Sequence, residues 1–228
     1  MKSVLSTKKL SPSQRELLVN AGISLVDYNA INIEFVPFKA PNTVENAIFT
    51  SQNAVKAYLN EKDQLPSTLE GEGSEVRMFC VGEKTKSLLE ENGFKVVKMT
   101  EYASELASYL VENHKNDSFH FFCGNIRSDE IPSKLKENHI AFEEIEVYKT
   151  TLNPKKFERQ FDAILFFSPS GVRSYCEERS NLINDEPTFV CIGTTTASEA
   201  KKYSENVVIA NATTVESVIA KTVKKLKT

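Results

Sequence analysis

Short clusters of Ser, Thr, Gly and Asn recur in this chain wherever an apolar run gives way to a helical pattern. They are Thr50-Ser51, Gly82 with Thr85, Gly124-Asn125, Ser168 with Ser170, and Gly193 through Thr196. Each opens a helix, where backbone N–H groups lack intrahelical partners and the positive end of the dipole favours an anion. One such contact is worth about 0.3–1 kcal/mol in an exposed setting. Several of them around one cleft would hold a ligand carrying many carboxylates. The same hydroxyls also serve as ordinary N-caps, a role compatible with ligand binding.

Other chemistries lack their residues. There is no G-x-G-x-x-G and no G-x-x-x-x-G-K-[ST], so dinucleotide and P-loop binding have no phosphate cradle. No Cys/His cluster has metal-ligand spacing, and His114, His120 and His139 are scattered residues of structural or surface character. Ser168-Pro169-Ser170-Gly171 is not a nucleophile elbow, because no Gly stands two residues before Ser168. An enzyme built this way would use neither metal nor nucleotide, no cofactor is expected, and it would act mainly by holding its substrate in shape.

The elements that must position these clusters are short strands alternating with amphipathic helices. Apolar runs predict strands over Val4–Ser6, Ile23–Val26, Ala47–Thr50, Val76–Val81, Lys95–Met99, Phe119–Cys123, Ala163–Ser168, Thr188–Ile192 and Val207–Ala210. Leu88, Leu89 and Asn92 lead into Gly93, a helix C-cap, and Val215, Val218, Ile219, Val223 and Leu226 recur at helical spacing. This alternation predicts an α/β fold with largely parallel sheets flanked by helices. Two segments break the rhythm: Ile31, Ile33 and Phe35, and later Ile145 and Val147, alternate with polar neighbours. They read as a two-stranded connector where the chain leaves one lobe and returns. Residues 1–37 with 150–228 then form a discontinuous lobe one, and 38–149 an inserted lobe two.

An internal repeat points the same way. Ile48-Phe49-Thr50-Ser51 through Tyr58 parallels Leu165-Phe166-Phe167-Ser168 through Tyr175, and Cys80-Val81-Gly82 parallels Cys191-Ile192-Gly193. Two blocks in the same order indicate two similar small domains.

Composition bounds the partners. With 40% hydrophobic and 26% charged residues the chain is an ordinary globular sequence, and a net charge of −3 gives no basic surplus to draw it to nucleic acid or a membrane. No apolar run approaches the about 20 residues that span a bilayer, and Met1 through Lys8 lack the features of a signal peptide. Cys80, Cys123 and Cys191 sit in apolar runs, as reduced core cysteines do. The expectation is a soluble cytoplasmic protein.

At this point the residues resemble the uroporphyrinogen-III synthase family. The match rests on Phe122-Cys123-Gly124-Asn125-Ile126-Arg127, then Ile131-Pro132 and Leu135, then Val147-Tyr148-Lys149-Thr150. Phe166-Phe167-Ser168-Pro169-Ser170-Gly171, Ile192-Gly193 with Thr195-Thr196-Ala197, Phe49-Thr50-Ser51, Val81-Gly82 with Thr85, and Thr213-Thr214 are similar to further family motifs. The resemblance covers nearly the whole chain in order. The N-terminus departs from it: Ser6-Thr7-Lys8-Lys9 stands where many members carry Thr-Arg-Pro, and a lysine lacks the planar fork that grips a carboxylate.

The resemblance implies two α/β domains and a substrate, hydroxymethylbilane, a linear tetrapyrrole rich in carboxylates. The product is uroporphyrinogen III, formed with loss of water and inversion of the terminal ring, so the activity is that of a lyase. It further implies Tyr148 as general acid to the departing hydroxyl. The substrate-binding set would be Ser51, Gly82, Thr85, Gly124, Asn125, Arg127, Ser168, Ser170, Gly193, Thr195, Thr196 and Thr213. From position alone, an aromatic packed across the connector strands is the stronger account of Tyr148, and pairing with Asp129, Glu130 or another nearby acid is the commoner role for Arg127. The resemblance implies a monomer, with room for transient contact with the upstream deaminase. A cytoplasmic two-lobed binding protein for an anionic small molecule, without catalysis, is the alternative that the residues leave open.

Overall fold

A computed structural model describes residues 1–39, 41, 43–61, 76–177 and 187–227. Within these the chain divides into unit one, residues 1–32 with 151–228, and unit two, residues 33–150. Parts of both expected lobes (40, 42, 62–75, 178–186 and 228) lie outside the described residues.

Unit one holds β1 (Ser3–Ser6), α1 (Pro12–Val19), β2 (Ser24–Asp27), β9 (Ala163–Phe166), α6 (Pro169–Glu177), β10 (Thr188–Cys191), α7 (Thr194–Ala200), β11 (Val207–Ile209) and α8 (Val215–Lys227). Its sheet runs β11-β10-β9-β1-β2, every pair parallel. The central strands β1, β9 and β10 are buried along their whole length. Strand alternation sends Leu5, Ile164, Phe166 and Phe189 to one face, packed under α6 and α7 through Val172, Ala197 and Ala200. Val4, Ala163, Leu165 and Val190 go to the other, packed under α1 and α8 through Leu18, Val218 and Ile219. Near-continuous apolar runs are what two covered faces demand.

Unit two repeats the plan with β3 (Ile31–Phe35), β4 (Asn46–Phe49), α2 (Gln52–Asn60), β5 (Arg77–Val81), α3 (Glu83–Glu91), β6 (Val96–Thr100), α4 (Ala103–Asn113), β7 (Ser118–Gly124), α5 (Glu130–Glu137) and β8 (Ala141–Leu152). The sheet order is β3-β8-β7-β4-β5-β6, with β8 through β6 parallel. Phe49, Cys80 and Phe122 face α2 and α3, whereas Ile48, Phe79 and Phe121 face α4 and α5. The expected parallel α/β architecture is therefore what the chain forms. Strands β3 and β8 are neighbours, and both cross the boundary between the units. The division falls at 32/33 because β3 pairs in the second sheet, whereas the sequence placed the crossing after Pro37.

The apolar centre of unit two is aromatic. Phe122 stacks on Phe49 with centroids 5.2 Å apart, and meets Tyr58 edge-on at 4.8 Å and Phe38 at 5.9 Å. Phe122→Ala removes a fully buried ring shared by all three, and it should cost about 3–5 kcal/mol of stability. Urea unfolding followed by circular dichroism checks this. A loss under about 1 kcal/mol would mean that the ring does not organise this core.

Candidate active site

In an open parallel sheet, ligands gather beyond the carboxyl ends of the strands, at the point where strand order reverses. In unit two the chain proceeds from β4 outward to β5 and β6, then resumes on the other side with β7 and β8. The reversal lies between β4 and β7, whose ends deliver Ser51 and Gly124.

Tyr148 reaches this point through an irregularity in β8. Phe122 pairs with Ile145 and Cys123 with Glu146, but Gly124 pairs with Tyr148, so Val147 is the extra residue of a bulge. A bulge shifts the alternation of faces by one. Ile145 and Val147 are buried with Glu146 exposed between them, and the next buried positions are Tyr148 and Thr150. Without the bulge Tyr148 would share the exposed face of Glu146.

The Tyr148 ring lies directly over Gly124. A Cβ at that glycine would fall 2.5 Å from the ring Cζ, 2.6 Å from Cε2 and 2.9 Å from Oη, closer than any side chain tolerates. The phenol lies near the Ser51 side chain, whose Oγ accepts from the Asn53 N–H at 3.1 Å and so caps α2. Burial pushes the phenol above its ordinary pKa; the nearby Ser51 hydroxyl opposes this without cancelling it, and nearby Cys123 adds to it.

The other expected residues of unit two take definite places. Gly82 begins α3 at φ 86°, a left-handed conformation that favours glycine. Its carbonyl accepts from the N–H of Thr85, which is buried in the first turn. The Asn125 carboxamide is bonded to backbone: Oδ1 accepts from the Thr150 N–H at 2.8 Å and Nδ2 donates to the Thr150 carbonyl at 3.2 Å. Arg127 pairs with Asp129 and, 17 positions on, with Glu144. Both carboxylates lie within bonding range of its guanidinium, so any further anion must compete with them.

In unit one the order reverses between β1 and β9. These strands deliver Thr7 and Ser168, and a Cβ on Gly171 would lie 3.4 Å from each hydroxyl. Ser168 Oγ accepts from the Gly171 N–H at 3.1 Å, and Thr7 Oγ1 donates to the Leu165 carbonyl at 2.7 Å. Ser170 is buried and accepts from Arg173, which also approaches Glu199. Gly193 precedes α7, with Thr195 exposed and Thr196 buried. Thr213 is exposed beside Gly193, where its methyl lies 3.6 Å from the position of an added Cβ; neighbouring Thr214 caps α8 by accepting from the Ser217 N–H.

Sequence reasoning gave little weight to Thr7 and did not find Glu144. Thr7 had a signal, a hydroxyl at the end of a strand. Glu144 had none, since nothing in its spacing marks a partner for Arg127. Burial pushes Cys80 and Cys191 up to about 12, and burial with the Glu144 carboxylate pushes Cys123 up to about 11. All four cysteines are free, and these three are unreactive core residues. Among the described residues no group of His, Cys, Asp and Glu is arranged to hold a metal ion, and no helix is long and apolar enough to cross a membrane.

The family model for uroporphyrinogen-III synthase HemD matches residues 13–220. The chain belongs to the uroporphyrinogen-III synthase family. It is 28% identical over 96% of its length to the porphyrin biosynthesis protein HemD of Ruminiclostridium josui, and spans 47% of that longer relative. It is also 28% identical, over 72% of its length, to the uroporphyrinogen-III synthase of Saccharomyces cerevisiae, of which it covers 68%. Among solved structures it resembles the synthase of Helicobacter pylori, with a TM-score of 0.73 at 17% identity over 99% of this chain and 100% of the other. A mutant synthase of Thermus thermophilus gives 0.70 at 14% identity over 100% and 99%. At these identities the structural likeness speaks for the fold.

The raised pKa of Tyr148 yields a titration test. In protein carrying ¹³Cζ-labelled tyrosine, Tyr148 should titrate above the ordinary value of about 10, its signal assigned by loss in Tyr148→Phe. Because the folded value is raised, its contribution to stability is complete below about pH 10 and is lost as pH climbs through the folded pKa. A midpoint at or below about 10 would show that the ring leaves its seat on Gly124.

Proposed function

We propose that this protein cyclises hydroxymethylbilane to uroporphyrinogen III, with loss of water and inversion of the terminal pyrrole ring. The observation that carries the reading is the placement of Tyr148, in a chain of this family, on Gly124 and against Ser51 where β4 and β7 end. The name of the yeast relative, a uroporphyrinogen-III synthase, supports this reaction, and that of the Ruminiclostridium josui relative supports porphyrin biosynthesis.

The substrate supplies most of the electronic push. A pyrrole nitrogen donates electrons to expel the terminal hydroxyl, and Tyr148 gives that hydroxyl its proton so that it departs as water. The resulting azafulvene is attacked by the far pyrrole through its substituted carbon, giving a spiro intermediate. This fragments and recloses with that ring turned over, and the proton lost as the ring regains aromaticity returns to the phenolate. The Ser51 hydroxyl, close to the phenol oxygen, tempers the cost of its negative charge.

The protein's larger task is to bring the ends of a floppy chain together, an effect that reaches about 7–11 kcal/mol in well-oriented systems. Donors at the strand ends suit the substrate carboxylates: Gly82 and Thr85 in unit two, and Ser168, Ser170, Gly193, Thr195, Thr196 and Thr213 in unit one. Arg127 reaches a carboxylate only by giving up Asp129 or Glu144. The protein acts as a cytoplasmic monomer without cofactor, and receives its substrate from the upstream deaminase in a transient contact.

A coupled assay tests this. The deaminase generates hydroxymethylbilane beside the protein, and the oxidised porphyrin isomers are separated by chromatography. Predominantly type III product is expected, and Tyr148→Phe should slow its formation about 10²-fold, the lower end of usual general-acid contributions. Type I product at the protein-free rate would overturn the catalytic reading and leave a binding protein for the anionic tetrapyrrole.

A further inference from the structure

The expected binding set contains two neighbours, Gly124 and Asn125, that both lie against the Tyr148 stretch of β8. Strand β7 ends at Gly124, yet the chain continues to bond with β8 through Asn125. The Asn125 N–H donates to the Tyr148 carbonyl at 3.3 Å, and its carboxamide takes the Thr150 N–H and carbonyl at 2.8 and 3.2 Å. A carboxamide has the same donor and acceptor as a peptide group, so Asn125 adds one more rung to a ladder that the bulge at Val147 has just interrupted. Tyr148 stands between these two anchors, bulge on one side and clamp on the other. Gly124 supplies the floor beneath its ring.

We propose that Asn125 is a positioning residue: by closing on the backbone of Thr150 it fixes the bulged stretch of β8, so that the Tyr148 ring stays on Gly124 with its hydroxyl at Ser51. This inference rests on the catalytic reading only for its effect on turnover; the placement of the ring is a property of the fold. Thr150 is buried beneath the exposed Asn125, whose carboxamide holds both its backbone N–H and its carbonyl. Loss of the carboxamide breaks both bonds and loosens residues 148–150, and the ring moves with them. Gly124 acts on the same ring from below: a methyl group there overlaps the phenol and must displace it.

Two measurements separate positioning from substrate binding. In steady-state assays Asn125→Ala should lower kcat about as much as Tyr148→Phe, with KM changed less than about twofold. Adding Asn125→Ala to Tyr148→Phe should then cost less than about a further twofold, since both remove one function. In ¹³Cζ-tyrosine spectra, Asn125→Ala should bring the Tyr148 midpoint down toward about 10, as the phenol becomes hydrated. Gly124→Ala should do the same, and it tests the seat should Asn125→Ala fold poorly. A raised KM with kcat preserved would place Asn125 on the substrate and overturn the proposal, as would losses that multiply in the double variant. If wild-type protein gives no type III product, the catalytic reading fails on its own. The titration still decides the positioning: an unmoved midpoint in both Asn125→Ala and Gly124→Ala would refute it.

Discussion

In a parallel sheet every strand ends on the same edge, and the turn that follows each strand must open there. That constraint gathers residues far apart in sequence. In unit two it brings Ser51 after β4, Gly82 after β5 and Gly124 at the end of β7 to one edge, although 73 positions separate the first from the last. In unit one it does the same for Thr7, Ser168 and Gly193. The helices that follow these turns cover the faces of the sheet and bury Phe49, Phe122, Phe166 and Phe189, although α1 and α5 begin several residues beyond Thr7 and Gly124.

The two units use one layout with the chain cut in different places. Unit two runs β4, β5, β6, β7, β8 and lays them out as β6-β5-β4-β7-β8. Unit one lays out β11-β10-β9-β1-β2, so β9, β10 and β11 take the places of β4, β5 and β6, while β1 and β2 take those of β7 and β8. The sequence repeat was visible for that reason in the blocks around Phe49 and Phe166 and around Cys80 and Cys191, which open equivalent runs. It was not visible for β7 and β8 against β1 and β2, because those pairs stand in the opposite order relative to their partners. An inserted domain and a discontinuous one can thus share a plan that linear alignment only half reveals.

Local signals were read well where a single element decides the outcome. Gly93 does terminate α3: it takes φ 82°, and the Phe94 N–H returns to the Leu89 carbonyl, the closing bond of such a cap. Fully buried strands announced themselves as apolar runs without alternation. What stayed hidden depended on register. Period-two alternation through Ile145 and Val147 suggests one wet face, and nothing in Val147-Tyr148-Lys149 marks the extra residue that turns Tyr148 inward. Asp129 is a partner that the local sequence offers Arg127, whereas Glu144 is its neighbour only because β8 returns beside β7. Of the two adjacent threonines the expected binding set takes Thr213, and it is Thr214 whose hydroxyl caps α8.

A buried phenol with a raised pKa is a poor acid toward water, and this bears on what the fold can contribute. A departing hydroxyl becomes strongly basic as its carbon–oxygen bond stretches, so a weak acid beside it transfers a proton late, at the moment the charge appears. The requirement is then that the proton be present and close, and a raised pKa keeps it present across the working range of pH. The place of the ring is set by a missing methyl at Gly124 and an inserted residue at Val147, with a carboxamide closed on Thr150 beside it. On the proposed reading, features set as the sheet forms leave the phenol no reorganisation to make when the reaction begins, which is the condition under which an oriented polar group lowers a barrier most. The local structure around Tyr148 thus specifies place rather than acidity.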